Sequence, residues 1–263
     1  MNSINMKYTI IILIFLLLPL MNTVYGLEPI LISISGSMDD VIFDGKWTNE
    51  LEWKESSWDS ISSTYGTLHL RTAHQEDFIY ILLDAVDDKT IDHISDAALI
   101  CIDGKNDKTI IPNSDDYCFF TALDSKQAFI YQGGSSIALN GYFKKISNYE
   151  GFIGVGTKSD HNDKYSKITH TSYEFKIPVN LFGRSDNYGF YVYVFDSTTN
   201  NYYSWPSDTS PNDPFDIPSP RKWGELISPD KSIPEFNFPA LAIIPALFLV
   251  IYLTTYLQKP KRG

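Results

Sequence analysis

Residues 172–177 have the sequence SYEFKI, in which polar and apolar side chains alternate strictly. Tyr173, Phe175 and Ile177 occupy one parity, and hydroxyl, carboxylate and ammonium groups occupy the other. Successive side chains of a β-strand point to opposite faces of its sheet, so this period of two is typical of a strand with one buried and one solvated face. The segment therefore predicts a β-strand.

Two other segments, Phe78–Ala85 and residues 190–195, are apolar on both parities. Such runs are typical of central strands that are covered on both faces, as in a stack of two sheets. Clusters of Asp, Asn, Gly, Ser and Pro separate the remaining candidates. Further strands are predicted at residues 30–34, 67–72, 98–102, 117–122, 128–131 and 152–156.

No stretch between residues 27 and 231 has a helical period of 3.6 that lasts longer than a single turn. At least nine strands without intervening helices indicate an all-β fold. We therefore expect a two-sheet β-sandwich of jelly-roll-like type over residues 27–231, as a single domain.

Two apolar segments lie outside this range. Residues 8–20 follow Lys7 and lead to a small-x-small pattern at residues 24–26, which predicts a signal peptide over residues 1–26. Residues 238–257 are long enough, at ~1.5 Å rise per residue, to cross a ~30 Å hydrocarbon layer as one transmembrane helix. An uncleaved anchor helix is the alternative interpretation of the first segment.

The chain ends with a basic tail, and its lysines and arginine follow the apolar segment directly. Basic residues favour the cytoplasmic side of a membrane. We therefore expect a single-pass protein at the extracytoplasmic face of the cell membrane, with its N-terminus outside after signal removal and its C-terminus cytoplasmic.

Pro234, Glu235 and Phe236 stand immediately before the second apolar segment. A Pro-Glu-Phe motif followed by a hydrophobic span and a basic tail resembles the PEF-CTERM sorting signals of archaeal surface proteins. This resemblance implies a partner archaeosortase, removal of the span within residues 232–263 and attachment to a lipid or to the envelope. A plain membrane anchor is the alternative, and it displays the same region outside the cell.

The exported region is strongly acidic. All 32 acidic residues lie between Glu28 and Glu235, but only 17 of the 21 basic residues do, so the region has a net charge of −15. A surface with this charge repels nucleic acid and anionic lipid, which argues against a nucleic-acid partner.

Cys101 and Cys118 are the two cysteines of the chain, and each lies in a predicted strand. An exterior compartment permits disulfides, and neighbouring antiparallel strands would bring the two sulfur atoms together. We predict a disulfide between them; two buried free thiols are the alternative.

Aromatic residues are abundant, with five Trp, 17 Tyr and 16 Phe. Sugar rings stack on aromatic planes while polar groups at the rim bind their hydroxyls. Trp205, Tyr202 and Tyr203 lie in the polar, turn-rich sequence NNYYSW, where core packing explains a tryptophan poorly. These residues and Trp58 are the predicted carbohydrate-binding residues.

Acidic side chains flank the predicted hairpin that carries the cysteines. Oxygen ligands on loops suit Ca²⁺, although their spacing differs from that of an EF-hand. Solvated turn carboxylates are the alternative. The candidate calcium ligands are Asp103, Asp107, Asp115 and Asp116.

Catalytic and cofactor signatures are weak. The sequence has no nucleophile elbow and no glycine-rich phosphate loop, so we expect no nucleotide or flavin and no enzymatic activity of the chain itself. Haem is an unfavourable hypothesis because Met38 is the one methionine between the predicted signal peptide and the apolar tail.

Five short motifs follow one another in the exported region. They are FDG at residues 43–45 before Trp47 and Trp53, DFIYI at 77–81 leading to Asp87 and Asp88, the strand at 96–103, EFKIP at 174–178, and the strand at 189–196 before Trp205 and WGEL at 223–226. Their order resembles that of family 9 carbohydrate-binding modules. The resemblance implies a β-sandwich, non-catalytic glycan binding, structural calcium and a sugar clamped by Trp205. The same sandwich also resembles DOMON-type domains, some of which hold haem.

The sequence therefore predicts a surface-displayed, non-catalytic protein that binds a polysaccharide or glycan. A structural or adhesive surface protein without a small ligand is one alternative, and it predicts a buried Trp205. A DOMON-like redox domain is another. A partner glycoside hydrolase acting in trans is also compatible with the sequence.

Overall fold

The chain is an all-β sandwich in the part that the structure describes, as the series of predicted strands without intervening helices indicated. A computed structural model describes residues 27–135, 142–207 and 217–228. Fourteen strands in these ranges form two mixed sheets that face each other, and short 3-10 turns connect some of them.

The predicted signal peptide, Pro-Glu-Phe motif, membrane span and basic tail all lie outside the described residues. Those elements remain predictions. Within the described ranges, no helix has the length and apolar character needed to cross a membrane.

The strands are short, and turns or loops separate them. In chain order they are β1 (Ile30–Leu31), β2 (Ser33–Ile34), β3 (Ser57–Ser62), β4 (Thr67–Gln75), β5 (Phe78–Ala85), β6 (Ala97–Asp103), β7 (Asp116–Ala122), β8 (Ala128–Gln132), β9 (Lys144–Ile146), β10 (Ile153–Lys158), β11 (Thr171–Pro178), β12 (Asn187–Asp196), β13 (Asn201–Trp205) and β14 (Gly224–Ile227).

The larger sheet has eight strands in the order β1-β14-β12-β6-β7-β8-β9, with β13 paired to β12. The smaller sheet has six strands in the order β10-β11-β5-β4-β2, with β3 paired to β4. Most neighbours are antiparallel, but β1–β14 and β2–β4 are parallel pairs. Both sheets are therefore mixed.

Residues 30–34, predicted as one strand, divide between the two sheets. Ile30 pairs with β14 of the larger sheet, whereas Ile34 pairs with β4 of the smaller one. Ile32 lies between the two pairings, is 3% exposed, and donates its N–H to the Ile227 carbonyl at 2.9 Å. The chain thus connects the two sheets near its start.

The main core lies between the sheets. The inward faces of β4, β5 and β11 supply Leu70, Leu83 and Phe175, and those of β6 and β12 supply Ile100 and Val192, all fully buried. Strands β5 and β12 are also covered on their outer faces, as their uniformly apolar sequences predicted.

One prediction about the smaller sheet is wrong. Ser172 and Glu174 are fully buried, although the alternation of residues 172–177 predicted a solvated face. A loop covers this outer face, and its Trp53 packs in one cluster with Tyr80 of β5. The polar side chains of β11 therefore meet a covering loop rather than water.

The outer face of the larger sheet carries the predicted disulfide. Cys101 and Cys118 are directly opposite each other in the β6–β7 pairing and form a bond. They are fully buried in a cluster with Tyr191, Tyr193 and Trp223. The bond therefore joins two neighbouring strands beneath an aromatic layer.

We expect a double variant, Cys101→Ala with Cys118→Ala, to keep the fold but to unfold more easily. The bond closes a segment with a sequence separation of 17. Loss of such a constraint on the unfolded chain lowers the free energy of unfolding by about 3 kcal/mol in the chain-entropy account. Urea denaturation of the oxidised chain and the variant measures this, and equal midpoints would contradict it.

Candidate functional site

Trp205 is not exposed, so the prediction that it presents a stacking face is wrong. Its side chain is 9% exposed and packs against Phe190, with ring centroids 5.9 Å apart. A Cβ atom at Gly224 would lie 2.1 Å from the Trp205 ring, so glycine is needed there for the ring to fit. The polar residues Asn200 and Asn201 suggested that Trp205 lies in an exposed turn, but Trp205 belongs to strand β13.

Tyr202 and Tyr203 are also buried, with 6% and 3% exposure. Because they are consecutive residues of β13, they point to opposite faces of the larger sheet. Tyr203 lies in the core between the sheets, and Tyr202 lies in the outer cluster with Phe195. Neither has a ring face free for a sugar.

Trp58 is the predicted sugar-binding residue that the structure does expose, at 53%. It lies on β3, a strand that the sequence analysis missed, and is directly opposite Arg71 of β4. His69 of β4 and Tyr165 from the β10–β11 loop lie beside it. We call Trp58, His69 and Tyr165 the aromatic shelf.

The rings of the aromatic shelf are in mutual contact. Trp58 and Tyr165 are nearly parallel, with centroids 6.2 Å apart and a 19° angle, and His69 stacks on Tyr165 at 4.0 Å. Burial lowers the pKa of His69, so its ring is neutral near pH 7. Its Nδ1 accepts a hydrogen bond from Trp58 Nε1 at 3.3 Å. This contact fixes the orientation of the exposed indole.

Arg71 supports the shelf from below. Its Nε donates to the Tyr165 hydroxyl at 2.6 Å, and its guanidinium carbon lies 4.8 Å from the Trp47 ring centroid. Its Nη1 donates to the carbonyls of Trp53 and Ser56 at 2.9 and 3.1 Å. The Arg71 side chain thus joins β4 to the two loops that cover this face of the sheet, the β2–β3 loop and the β10–β11 loop.

A cleft of about 850 Å³ opens beside the shelf, between the β2–β3 loop and the β10–β11 loop. Trp47 forms an apolar part of its wall and meets Tyr165 edge to face at 6.1 Å. The remaining lining is mostly polar and includes basic and amide side chains. It consists of Thr48, Asn49, Glu50, Leu51, Lys54, Arg71, Asn162, Asp163, Lys164 and Lys167.

Glu174 holds the β2–β3 loop, which forms one wall of this cleft. Its Oε2 accepts the Gly45 N–H at 2.8 Å and its Oε1 accepts the Trp53 Nε1–H at 2.9 Å. Gly45 has φ = +92°, and a Cβ there would lie 2.8 Å from Thr157 N, so the loop can approach β10 this closely only with glycine. Burial raises the pKa of Glu174 well above 4.5.

A cluster of three buried ionisable side chains lies beneath the β10–β11 loop, which forms the other wall of the cleft. Asp84 of β5, Asp163 of the β10–β11 loop and His170 at its end place one ligand atom each within 4.8 Å of one another. All three side chains are buried. Burial raises the pKa of Asp84 to about 7. Burial also lowers the pKa of His170, but contact with Asp84 outweighs this effect and the pKa is raised.

Three of the four predicted calcium ligands come together. Asp103, Asp107 and Asp115 place one carboxylate oxygen each within 4.8 Å of one another, and Asp116 lies opposite Asp103 in the β6–β7 pairing. Asp115 Oδ2 is buried without a hydrogen-bond partner, whereas its Oδ1 meets the Lys105 ammonium at 3.1 Å. An all-oxygen donor set fits Ca²⁺, with Lys105 as a competing cation.

A third acidic group, at the β6 and β12 ends, is satisfied by the protein. Asp96 Oδ1 accepts from the N–H and hydroxyl of Ser197 at 2.9 and 3.0 Å. Asp196 accepts from the N–H and hydroxyl of Thr199 at 3.0 and 2.6 Å. These bonds already use the carboxylates that a cation would need.

The sequence did not predict the contacts of His69 and Tyr165 with Trp58, nor the buried group of Asp84, Asp163 and His170. The signal for Asp84 was present, because it is the one charged residue in the apolar strand Phe78–Ala85. Tyr165 and Asp163 lie in a polar loop, where periodicity carries no information about contacts. Only the fold shows that this loop meets β4 and β5.

Two tryptophan variants should separate the buried site from the exposed one. Trp205→Ala opens a cavity in the core and should lower the free energy of unfolding by about 3–5 kcal/mol. Trp58→Ala removes a surface ring and should change it by roughly 0.5 kcal/mol or less. Urea titration of both variants checks this, and a similar loss in both would contradict the assigned burial.

The stability of the metal-free chain should fall as the pH rises above about 4.5. The folded pKa of Glu174 is raised, so the folded state retains a proton that the unfolded state releases. Urea midpoints measured with a chelator at several pH values test this. Glu174→Gln should flatten the profile, and an equally steep profile in that variant would assign the slope to other groups.

No protein-family model matches the chain, and no curated protein matches it either. Among solved structures, the chain is similar to a family 9 carbohydrate-binding module from Caldicellulosiruptor kristjanssonii in complex with cellotriose, and to the same module in complex with glucose. Both are 15% identical to it with a TM-score of 0.49. The matches cover 76% of this chain and 93% and 95% of the respective modules.

Proposed function

We propose that this protein binds carbohydrate without catalysing its conversion, and that Trp58 is the stacking residue. The observation that carries the proposal is a half-exposed indole whose orientation is fixed by His69 and Tyr165 beside a polar cleft. Flat, rigid aromatic faces pack against the C–H faces of sugar rings. In this proposal the sugar stacks on Trp58 of the smaller sheet and not on Trp205 of the larger one.

The cleft supplies partners for sugar hydroxyl groups. The amides of Asn49 and Asn162 can donate and accept, and the exposed ammonium groups of Lys54 and Lys164 can donate. Of the cleft's two acidic side chains, Asp163 is buried, and its Oδ1 is already used by two backbone N–H groups. A ligand in the cleft therefore meets local positive charge.

This local charge opposes that of the whole exported region, which is strongly acidic. Charge in a cleft steers ligands of opposite sign. The proposed ligand class is therefore a glycan that carries carboxylate or sulfate groups in addition to hydroxyls.

We also propose that the sandwich works outside the cell. The signal peptide predicted at residues 1–26 and the sorting or anchor segment predicted at 232–263 support display at the envelope. Calcium at the Asp103 loop belongs to the same proposal, with a structural role that the unpartnered Asp115 Oδ2 supports.

A structural or adhesive spacer is the second candidate function. It is favoured by one observation, the burial of Trp205, which that hypothesis predicted. It gives no role to a fixed, exposed Trp58 beside a polar cleft.

Retention of the purified chain on immobilised polysaccharides tests the main proposal. The panel should hold neutral glucans, uronate polymers and sulfated polymers, with cellotriose and glucose as soluble competitors. We expect retention on an acidic polymer, and we expect Trp58→Ala to weaken it by about 5-fold or more, the effect of losing about 1 kcal/mol or more at an aromatic anchor.

Tyr149→Ala is the matched control, because Tyr149 is a similarly exposed aromatic, at 44%, outside the shelf and the cleft. It should leave retention unchanged. Absence of retention on every polymer, or equal retention of wild type and Trp58→Ala, would sink the proposal and leave the spacer function.

A further inference from the structure

A buried triad of Asp84, Asp163 and His170 lies beneath the β10–β11 loop. Asp84 and His170 are fully buried, and Asp163 is 1% exposed. His170 Nε2 lies against Asp84 Oδ1 and is 3.8 Å from Asp163 Oδ1. Two carboxylates and one imidazole therefore converge on a single point inside the protein.

The polar atoms at that point lack hydrogen bonds. Both oxygens of Asp84, Asp163 Oδ2 and His170 Nε2 are buried and form no aligned hydrogen bond with any described residue. Ser172 Oγ is in the same condition, and Ser172 is directly opposite Asp84 in the β5–β11 pairing. Leaving one buried polar group unsatisfied costs about 1–3 kcal/mol, so several together are typical of a site that binds a ligand.

The imidazole of His170 is oriented from its far side. Its Nδ1 lies 2.7 Å from the Ile168 carbonyl, which can only accept, so Nδ1 carries the proton. Nε2 then faces the two carboxylates, and it offers a lone pair to a metal ion when it gives up its own proton. A histidine that donates its other N–H to a backbone carbonyl is the usual arrangement at a metal ligand.

Two nearby cations bond to groups other than the carboxylates of the triad. Lys167 Nζ donates to the backbone carbonyl of Asp163 at 2.9 Å. Arg71, which supports the aromatic shelf, gives its donors to Tyr165, Trp53 and Ser56. The two buried carboxylates therefore share one imidazole, and no other described cation forms a side-chain ion pair with either of them. A divalent cation would balance both.

We propose that Asp84, Asp163 and His170 bind one divalent transition-metal ion, with Zn²⁺ as the first candidate. One imidazole nitrogen with two carboxylate oxygens is a ligand set for zinc and its neighbours, whereas Ca²⁺ and Mg²⁺ prefer oxygen alone. Bonds of about 2.0–2.2 Å place tetrahedral ligand atoms about 3.4 Å apart. Nε2 lies 3.8 Å from Asp163 Oδ1 and in direct contact with Asp84 Oδ1, so Nε2 and Asp84 would separate around the ion, and the unpartnered Asp163 Oδ2 is the oxygen left for it.

The ion would join the β10–β11 loop to the smaller sheet. Asp84 belongs to β5, while Asp163 and His170 lie near the two ends of the loop segment that carries Tyr165. Asp163 Oδ1 also accepts the Tyr165 N–H at 2.8 Å. The site is therefore structural, and its existence does not depend on whether the shelf binds sugar.

Metal analysis of the full purified chain tests the site. The chain is measured as isolated and after incubation with Zn²⁺ and removal of the excess, with thermal unfolding recorded in parallel. We expect one tightly held zinc per chain and a higher melting temperature with zinc than after chelation. Co²⁺ in its place should give the visible absorption bands of a four-coordinate site that includes nitrogen.

His170→Ala and Asp84→Asn should weaken zinc binding by about 100-fold or more. His161→Ala is the control, because His161 is exposed on the same loop and should leave zinc binding unchanged. If a ligand variant fails to fold, the cobalt spectrum of the wild type still decides. A folded wild-type chain that retains only substoichiometric zinc and gives no cobalt bands overturns the proposal, as does undiminished zinc in His170→Ala.

Discussion

The covered outer face of the smaller sheet is the constraint on which the rest of this structure depends. Two loops lie on it, and each is held by a buried carboxylate that projects from a strand. Glu174 of β11 holds the β2–β3 loop through Gly45 and Trp53. Asp84 of β5 meets His170 at the end of the β10–β11 loop. Without these anchors, the cleft between the loops would have no fixed walls.

This use of polar anchors explains why the shelf can be rigid at an exposed position. Trp58 donates a hydrogen bond to His69, and Tyr165 accepts a hydrogen bond from Arg71, so hydrogen bonds restrict the rotation of both rings. Arg71 in turn holds both loops through backbone carbonyls. Preorganisation of this kind reduces the entropy lost on binding, which is where a shallow sugar site gains affinity.

The sequence predicted the strands well where hydrophobic side chains alone decide the structure. Strands such as β5, β6 and β12 were found at their predicted places. Strand β3 was missed because its sequence, SWDSIS, has one inward apolar residue, Ile61, and otherwise resembles a loop. The disulfide was predicted because its two strands are neighbours along the chain.

The candidate site was harder to predict, for a different physical reason. Trp205 was misjudged because the polar residues around it belong to a turn, while its own ring points into the core. Glu174 and Ser172 were expected in water because the sequence of a strand does not show what covers it. Contacts between β5, β11 and a loop many residues away arise only from the assembled fold.

The disulfide stabilises one sheet of the sandwich, while the candidate binding site lies on the other sheet. It staples the outer face of the larger sheet, on the opposite side of the core from the shelf and the cleft. Loop length is also cheap to change, because each doubling adds only about 0.6 kcal/mol of closure entropy. A descendant of this chain could therefore exchange its two covering loops, and with them its ligand, while the stapled sheet behind them continued to define the same scaffold.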